Sequence, residues 1–393
     1  MAGPLPLGVY IHFPYCPQKC PYCDFAVAVV REVPHQRYAD AIVAELRRRA
    51  PDFASPARRV VTVYFGGGTP SLWEPACVAR VLAEVRALFA MADGPEVTLE
   101  ANPDAAEEPR LRAFRAAGVN RLSIGVQSFE PQQLVALGRW HSTAQAEAAF
   151  GAARAAGFAN VSVDLIHGGQ GQTARGAKAD AGRAAALGAD HVSCYVLTLT
   201  NLAEDVPMAR AVRKGRLQLP GDEEQEAMGE SLRTALAAAG LRRYEISNFA
   251  RPGFESRHNQ LYWRGVEYLA VGAGACGFRL DRSGPALRGQ RYSDLRDHQQ
   301  YLTAALSAEL PEAEREELGA DDLLRERLFT GLRMVDGLDL AELEEWSGLQ
   351  ARELYAPALA RLEREGLALL EGTRVRLTER GLDLHSEVAV RFF

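Results

Sequence analysis

Three of the chain's six cysteines fall within eight residues, Cys16, Cys20 and Cys23, in the spacing C-x3-C-x2-C. A [4Fe–4S] cube has four irons, each normally held by one thiolate. Three cysteines on a tight loop cap three irons and leave the fourth open to an outside ligand. The amino and carboxylate groups of S-adenosylmethionine (SAM) form a five-membered chelate that suits such an iron. An electron from the cluster can then cleave the S–C5′ bond to a 5′-deoxyadenosyl radical. Pro17 and Pro21 stiffen the loop and remove two backbone donors. The competing reading is a zinc site completed by His12 or Asp24. Structural zinc favours paired knuckles, and this segment holds a single C-x2-C. Cys77, Cys194 and Cys276 are scattered and read as small buried residues.

A second group of residues could serve the same chemistry. Gly66-Gly67-Gly68-Thr69-Pro70 lets backbone approach a ligand closely. It lacks the Gly-Lys-Ser/Thr ending of a phosphate loop. Beside the cysteine motif it reads as the cradle for SAM's methionine moiety. Glu100, Gln127, Arg139 and Asp164 can hold an ammonium, a carboxylate and ribose hydroxyls, with arginine best suited to the carboxylate.

These residues need elements to bring them together. Short β-branched runs at Val9–Phe13, Val60–Phe65, Glu96–Glu100, Arg121–Val126, Val161–Leu165 and His191–Leu197 alternate with helical patterns. The helical patterns are Gln36–Arg49, Glu74–Phe89, Glu107–Ala117, Thr143–Ala156 and Thr173–Ala186. That alternation implies βαβ units and a parallel sheet. The expected fold is α/β, a partial (β/α)6 barrel, with a doubly wound sheet as the alternative. In both, functional groups collect at the carboxyl ends of strands, where the cysteine loop, the glycine run, Glu100, Asn102, Gln127, Ser128 and Asp164 all fall. Leu199–Leu310 reads as irregular apart from a helix at Asp222–Ala239 and a glycine-rich run at Gly272–Gly277. Helical patterns at Leu323–Leu332, Leu338–Trp346 and Tyr355–Glu365 precede strands Ala368–Leu370 and Arg374–Leu377, the order of a winged helix. The expected division is residues 1–240 as barrel, 241–315 as an extension and 316–393 as a small α+β, winged-helix-like module.

The composition narrows the function. A net charge of −6 argues against general nucleic-acid binding, and the acidic stretch Asp339–Trp346 argues against DNA reading by the C-terminal module. No apolar run is long enough to span a membrane, and Met1–Gly8 does not read as a signal peptide. A cytoplasmic protein is expected, where thiols stay reduced.

The cysteine segment, Tyr64-Phe65-Gly66-Gly67-Gly68-Thr69-Pro70-Ser71, Leu99-Glu100-Ala101-Asn102-Pro103 and Ser123-Ile124-Gly125-Val126-Gln127-Ser128-Phe129 together resemble the radical SAM family of oxygen-independent coproporphyrinogen III oxidases. The resemblance extends to Val163-Asp164-Leu165-Ile166, Tyr244-Glu245-Ile246-Ser247-Asn248-Phe249 and the C-terminal module. Phe25 stands where the true dehydrogenases carry a fourth cysteine. With His258-Asn259-Gln260-Leu261-Tyr262-Trp263, it resembles the HemW-type haem chaperone branch and its H-N-x-x-Y-W motif.

The resemblance implies SAM contacts from Tyr10, Tyr22, Gly67, Gly68, Thr69, Glu100, Gln127, Arg139 and Asp164. It implies haem held by His258 as iron ligand, with Tyr262 and Trp263 against the macrocycle. It implies delivery of that haem to respiratory haemoproteins at the inner face of the membrane. The alternatives are coproporphyrinogen dehydrogenation, a radical methylase or cyclopropanase, or a protein-contact module that keeps only the fold. Three stretches depart from the family pattern: His167-Gly168-Gly169-Gln170-Gly171-Gln172, Ala275-Cys276-Gly277 and Thr200-Asn201-Leu202-Ala203. The first is expected to loosen a loop beside SAM. The second exchanges a histidine for a thiol.

Overall fold

The computed structural model describes residues 4–200, 202, 206–284 and 286–392. Asn201 and Ala203, within the third departure, lie outside the described residues.

Six strands, β1 (Leu5–Phe13), β2 (Arg58–Gly67), β3 (Met91–Ala101), β4 (Arg121–Gln127), β5 (Asn160–His167) and β6 (His191–Val196), pair in parallel in sequence order. Helices α1 (His35–Phe53), α2 (Pro75–Leu88), α3 (Glu108–Ala117), α4 (Thr143–Ala155) and α5 (Ala174–Ala186) return the chain between them. This is the expected α/β partial barrel. The strands alternate with period two. Val9, Ile11, Phe13, Val63, Phe65, Leu122, Ile124, Val161 and Val163 face the helices and form the fully buried core. The opposite face carries Tyr10, Tyr64, Glu100, Ser123, Asp164 and Ser193, which line a cavity. Parallel strands buried on both faces usually read as continuous apolar runs. Here one face is polar because it encloses a site.

The region read as irregular supplies further strands to the same sheet. After α6 (Asp222–Ala238) come β7 (Arg242–Glu245) and β8 (Asn248–Ala250); β8 adds antiparallel to β6, and β7 pairs antiparallel with β8 at the sheet edge. The seven-residue helix α7 (Arg257–Trp263) follows, and β9 (Tyr268–Val271) joins the other edge, parallel to β1. Antiparallel β10 (Cys276–Asp281), β11 (Arg288–Asp294) and β12 (Glu312–Leu318) complete a 12-stranded sheet. Sequence patterning misses β7, β8 and β9 because they have three or four residues each, and β11 and β12 because charged and polar residues fill them.

A buried ion cluster pins this extension to α1. Arg49 donates to Glu45 at 2.7 Å and to Asp294 at 2.6 Å, and Tyr301 donates to Glu45 at 2.8 Å. The C-terminal segment has its own apolar core. It contains α8 (Ala320–Gly331), α9 (Leu340–Ser347), α10 (Ala356–Arg364) and a hairpin of β13 (Ala368–Glu371) and β14 (Arg374–Leu377). Leu338–Asp339 adds a third strand that sequence reading had placed in a helix.

Candidate cluster and cofactor site

The cysteine loop leaves β1 and is tied down at several points. Tyr15–Cys16 pairs in parallel with Ala28–Val29. Gly68 N–H donates to Phe13 O at 2.8 Å, and Thr69 N–H donates to Tyr15 O at 2.9 Å. These bonds require the glycine run to lie against the loop. A Cβ on Gly68 would stand 2.8 Å from the Pro14 carbonyl, and one on Gly67 would stand 2.5 Å from the His12 ring. Gly67 also has φ +112°, where a side chain is strained. The glycines therefore let the SAM-side turn close on the cluster loop.

Cys16, Cys20 and Cys23 line one cavity of about 530 Å3 with Tyr10, Tyr22, Gly67, Gly68, Thr69, Glu100, Gln127, Arg139 and Asp164. The fold thus gathers every residue expected to touch the cluster or SAM. Cys16 Sγ lies 3.3 Å from Thr69 Oγ1. Arg139 donates to Cys20 Sγ at 3.5 Å and to Asn102 Oδ1 at 2.9 Å. Burial raises the Cys16 thiol to about 11 and raises Cys23 as well. Both are thiols until a metal displaces their protons. His12 is occupied, with Tyr10 Oη at 3.1 Å and the Ala26 carbonyl at 2.8 Å. Zinc closure would need a fourth ligand, and the His12 ring is already bonded on both nitrogens. Three sulfurs on one loop fit a cluster with an open corner.

The acidic groups are held for use. Tyr64 donates to Glu100 Oε1 at 2.8 Å, and Gly67 N–H donates to Oε2 at 3.0 Å. Burial still raises Glu100 to about 7. Ser123 donates to both Asp164 oxygens at 2.9 and 3.0 Å, while burial raises that carboxyl too. Gln127 has φ +68°, the lone positive value among the described non-glycine residues, and it turns the end of β4 into the cavity. Sequence reading missed Arg121, Ser193 and Tyr195, which also line it. The period-two pattern could have found them, because they share a strand face with Ser123 and Asp164.

The H-N-x-x-Y-W motif divides. Its helix closes the barrel floor, with Glu96 accepting the Arg257 and His258 N–H groups at 3.1 Å each. His258 is 1% exposed and stacks on Tyr64 at 4.9 Å. Its Nδ1 lies 2.7 Å from Thr62 Oγ1, and its Nε2 lies 2.8 Å from the Tyr262 hydroxyl. Burial lowers its pKa to about 3. Both ring nitrogens are hydrogen-bonded to hydroxyls, and His258 lines the cluster cavity with Asn259 and Tyr262. Trp263 stands outside the cluster cavity. With Tyr262 it lines a second cavity of about 720 Å3, between the sheet extension and the C-terminal module. Tyr10, Phe25 and Tyr262 border both cavities, which adjoin.

Two departures resolve differently from expectation. The His167–Gln172 loop is not loose: Gln172 Oε1 accepts the Gly168 N–H at 2.8 Å, and Gln133 donates to the Gln170 carbonyl at 3.1 Å. None of its residues lines the cluster cavity. Cys276 is exposed, not buried as read, and it lines the second cavity.

A parallel βα sheet whose first strand feeds a three-cysteine loop against a triple-glycine turn defines a radical SAM protein. The radical SAM superfamily matches residues 10–181, and the HemN C-terminal domain matches residues 318–384. The chain is 38% identical to a protein of Mycobacterium tuberculosis named heme chaperone HemW, covering 96% of this chain and 92% of that one. It is 32% identical to the Bacillus subtilis heme chaperone HemW, over 97% of both chains. The chain belongs to the HemW family. The solved structure of HemN, the Escherichia coli coproporphyrinogen III oxidase, shares the fold, with a TM-score of 0.81 at 24% identity over 99% of this chain and 90% of that one. Membership of the radical SAM superfamily implies a [4Fe–4S] cluster and SAM.

Proposed function

We propose that this protein is a haem chaperone that carries a [4Fe–4S] cluster and SAM, holds haem, and passes it to haemoproteins. The observation that carries the reading is a second cavity, lined by Trp263, that adjoins the cluster cavity at Tyr10, Phe25 and Tyr262. A coproporphyrinogen dehydrogenase must bring a propionate side chain against the cleaved SAM. Here Tyr262 lines both cavities and Trp263 the second alone, which leaves room for a carried ligand beside the cluster cavity. The names of the HemW relatives support the same reading.

In this reading Cys16, Cys20 and Cys23 hold the cluster, which supplies single electrons and an open iron position when bound. Thr69 and Arg139 place a hydroxyl and a cation against the thiolates and offset their charge. Glu100 receives SAM's ammonium, Gly67 and Gly68 admit its methionine part, and Asp164 receives the ribose hydroxyls. Tyr10, Tyr22 and Gln127 enclose the remainder. Among the described residues no helix is long and apolar enough to cross a membrane. Work in the cytoplasm, with haem handed to respiratory acceptors at the inner membrane face, is the matching proposal.

The test titrates the anaerobically reconstituted protein with haem, then adds a haem-free acceptor. Haem uptake followed by transfer is expected. Formation of protoporphyrinogen from coproporphyrinogen with SAM and reductant would assign the dehydrogenase reading instead.

A further inference from the structure

The cluster cavity holds a buried cation with no ion-pair partner among the described residues. Arg121 opens β4, is 2% exposed and lines the cavity, and its Nε is buried without a hydrogen-bond partner. It shares the inward strand face with Ser123, two residues on, whose hydroxyl donates to Asp164 at 2.9 Å. On the neighbouring strand Arg121 pairs with Thr98, and Glu100 stands two residues beyond that partner. The guanidinium therefore lies deeper than both carboxylates and acts on the charge of each. Glu100, Asp164 and Arg121 are the charged side chains that the strands themselves bring to the cavity, whereas Lys19, Asp104 and Arg139 stand beyond the carboxyl ends of the strands. The other titratable groups facing the three are neutral. Desolvation raises the phenols of Tyr10, Tyr64, Tyr195 and Tyr262 and lowers the His258 imidazole to about 3. Burial keeps His191 and Tyr244, which also sense Arg121, neutral in the same way. Two sequestered carboxylates thus face one guanidinium, which keeps its proton throughout the working pH range. Arg121 balances one of them, and the other is balanced when a cationic ligand enters.

We propose that Arg121 is a positioning residue for SAM, the fixed counter-ion that favours the charged forms of Glu100 and Asp164 so that they can receive it. The inference rests on the reading of those two carboxylates as SAM contacts. Its consequence is that SAM binding releases a proton. In the empty site Glu100 is partly protonated at neutral pH, since burial raises it to about 7. SAM arrives with a sulfonium and an ammonium against a single carboxylate. Its net positive charge supplies the balance that the proton gave, and the proton leaves the carboxyl for solvent.

The test measures SAM binding to the full-length, cluster-reconstituted protein by isothermal titration, from mildly acidic to mildly alkaline pH and in buffers of different ionisation enthalpy. Arg121→Gln is expected to move the pH midpoint of SAM binding upward by about one unit or more and to increase the protons released per SAM. Arg121→Lys keeps a charge without the fork and should restore both readings. A residue that merely packs the barrel would lower affinity equally at every pH. That result for Arg121→Gln, with midpoint and proton count unmoved, overturns the inference. Should Arg121→Gln not fold, Arg121→Lys decides alone. A wild-type midpoint and proton count support the counter-ion role, and a loss of about tenfold or more at every pH shows that the guanidinium's packing is what the site needs and overturns it. Glu100→Gln separates the two readings. Wild-type SAM binding by that variant would overturn the contact assignment itself, whereas weakened binding there with no midpoint shift in Arg121→Gln would overturn the counter-ion role alone.

Discussion

Arg139 donates to Cys20 Sγ across 119 positions of sequence, at 3.5 Å. The same guanidinium bonds Asn102 at 2.9 Å and the Gly125 carbonyl at 3.1 Å. One cation thus joins the cysteine loop to the ends of β3 and β4. Its partner loop is shaped for the contact, because a Cβ on Gly138 would stand 2.6 Å from Pro21.

Arg139→Ala should leave the three cysteines able to load iron but lower the cluster's midpoint potential. Removing a nearby cation disfavours the reduced, more negative cluster. A charge-assisted hydrogen bond of about 1.5–3 kcal/mol is lost. Redox titration followed by EPR checks this, and an unchanged potential would contradict it.

Gly67→Ala should cost about 1–3 kcal/mol from backbone strain alone. The added methyl must also displace the His12 ring. A lower melting temperature together with reduced iron content is expected. Wild-type iron loading would show that the turn need not approach the loop so closely.

SAM binding should weaken as the pH falls through about 7, where Glu100 takes up a proton. Glu100→Gln should bind SAM weakly with little pH dependence, as isothermal titration across that range can show. The stability slope has the opposite sense. Between the ordinary value of 4.5 and about 7 the folded protein holds a proton on Glu100 that the unfolded chain releases. That carboxyl's share of stability is therefore present at low pH and is lost as pH rises. In Glu100→Gln this component should vanish from the melting profile.

Arg49→Ala should destabilise by about 3–5 kcal/mol, since it strands two buried carboxylates. Glu45 and Asp294 are 0% and 1% exposed. Chemical denaturation measures the loss. A change below about 1 kcal/mol would mean the pair takes up protons at little cost.

Thr62→Val should cost about 1–3 kcal/mol, because it leaves His258 Nδ1 buried without its partner. Chemical denaturation measures the loss, and an unchanged midpoint would show that Nδ1 finds another partner.

The sequence by itself determined the barrel and the cluster. Six strands and five helices are local periodic signals, and the sulfurs that cap a cluster lie on one loop. Gly67, Glu100, Gln127 and Asp164 were also legible, because in βα folds strand ends converge on one site. The strands of residues 242–318 were not, since some have three or four residues, others are filled with charged and polar residues, and only the distant partners β1 and β6 place them on the sheet. Nor could the surroundings of His258 and Cys276 be read from residue type. The imidazole is buried between Thr62 and Tyr262 and the thiol is exposed, because elements distant in the chain pack around each of them. Tertiary structure alone decides which cavity each side chain meets.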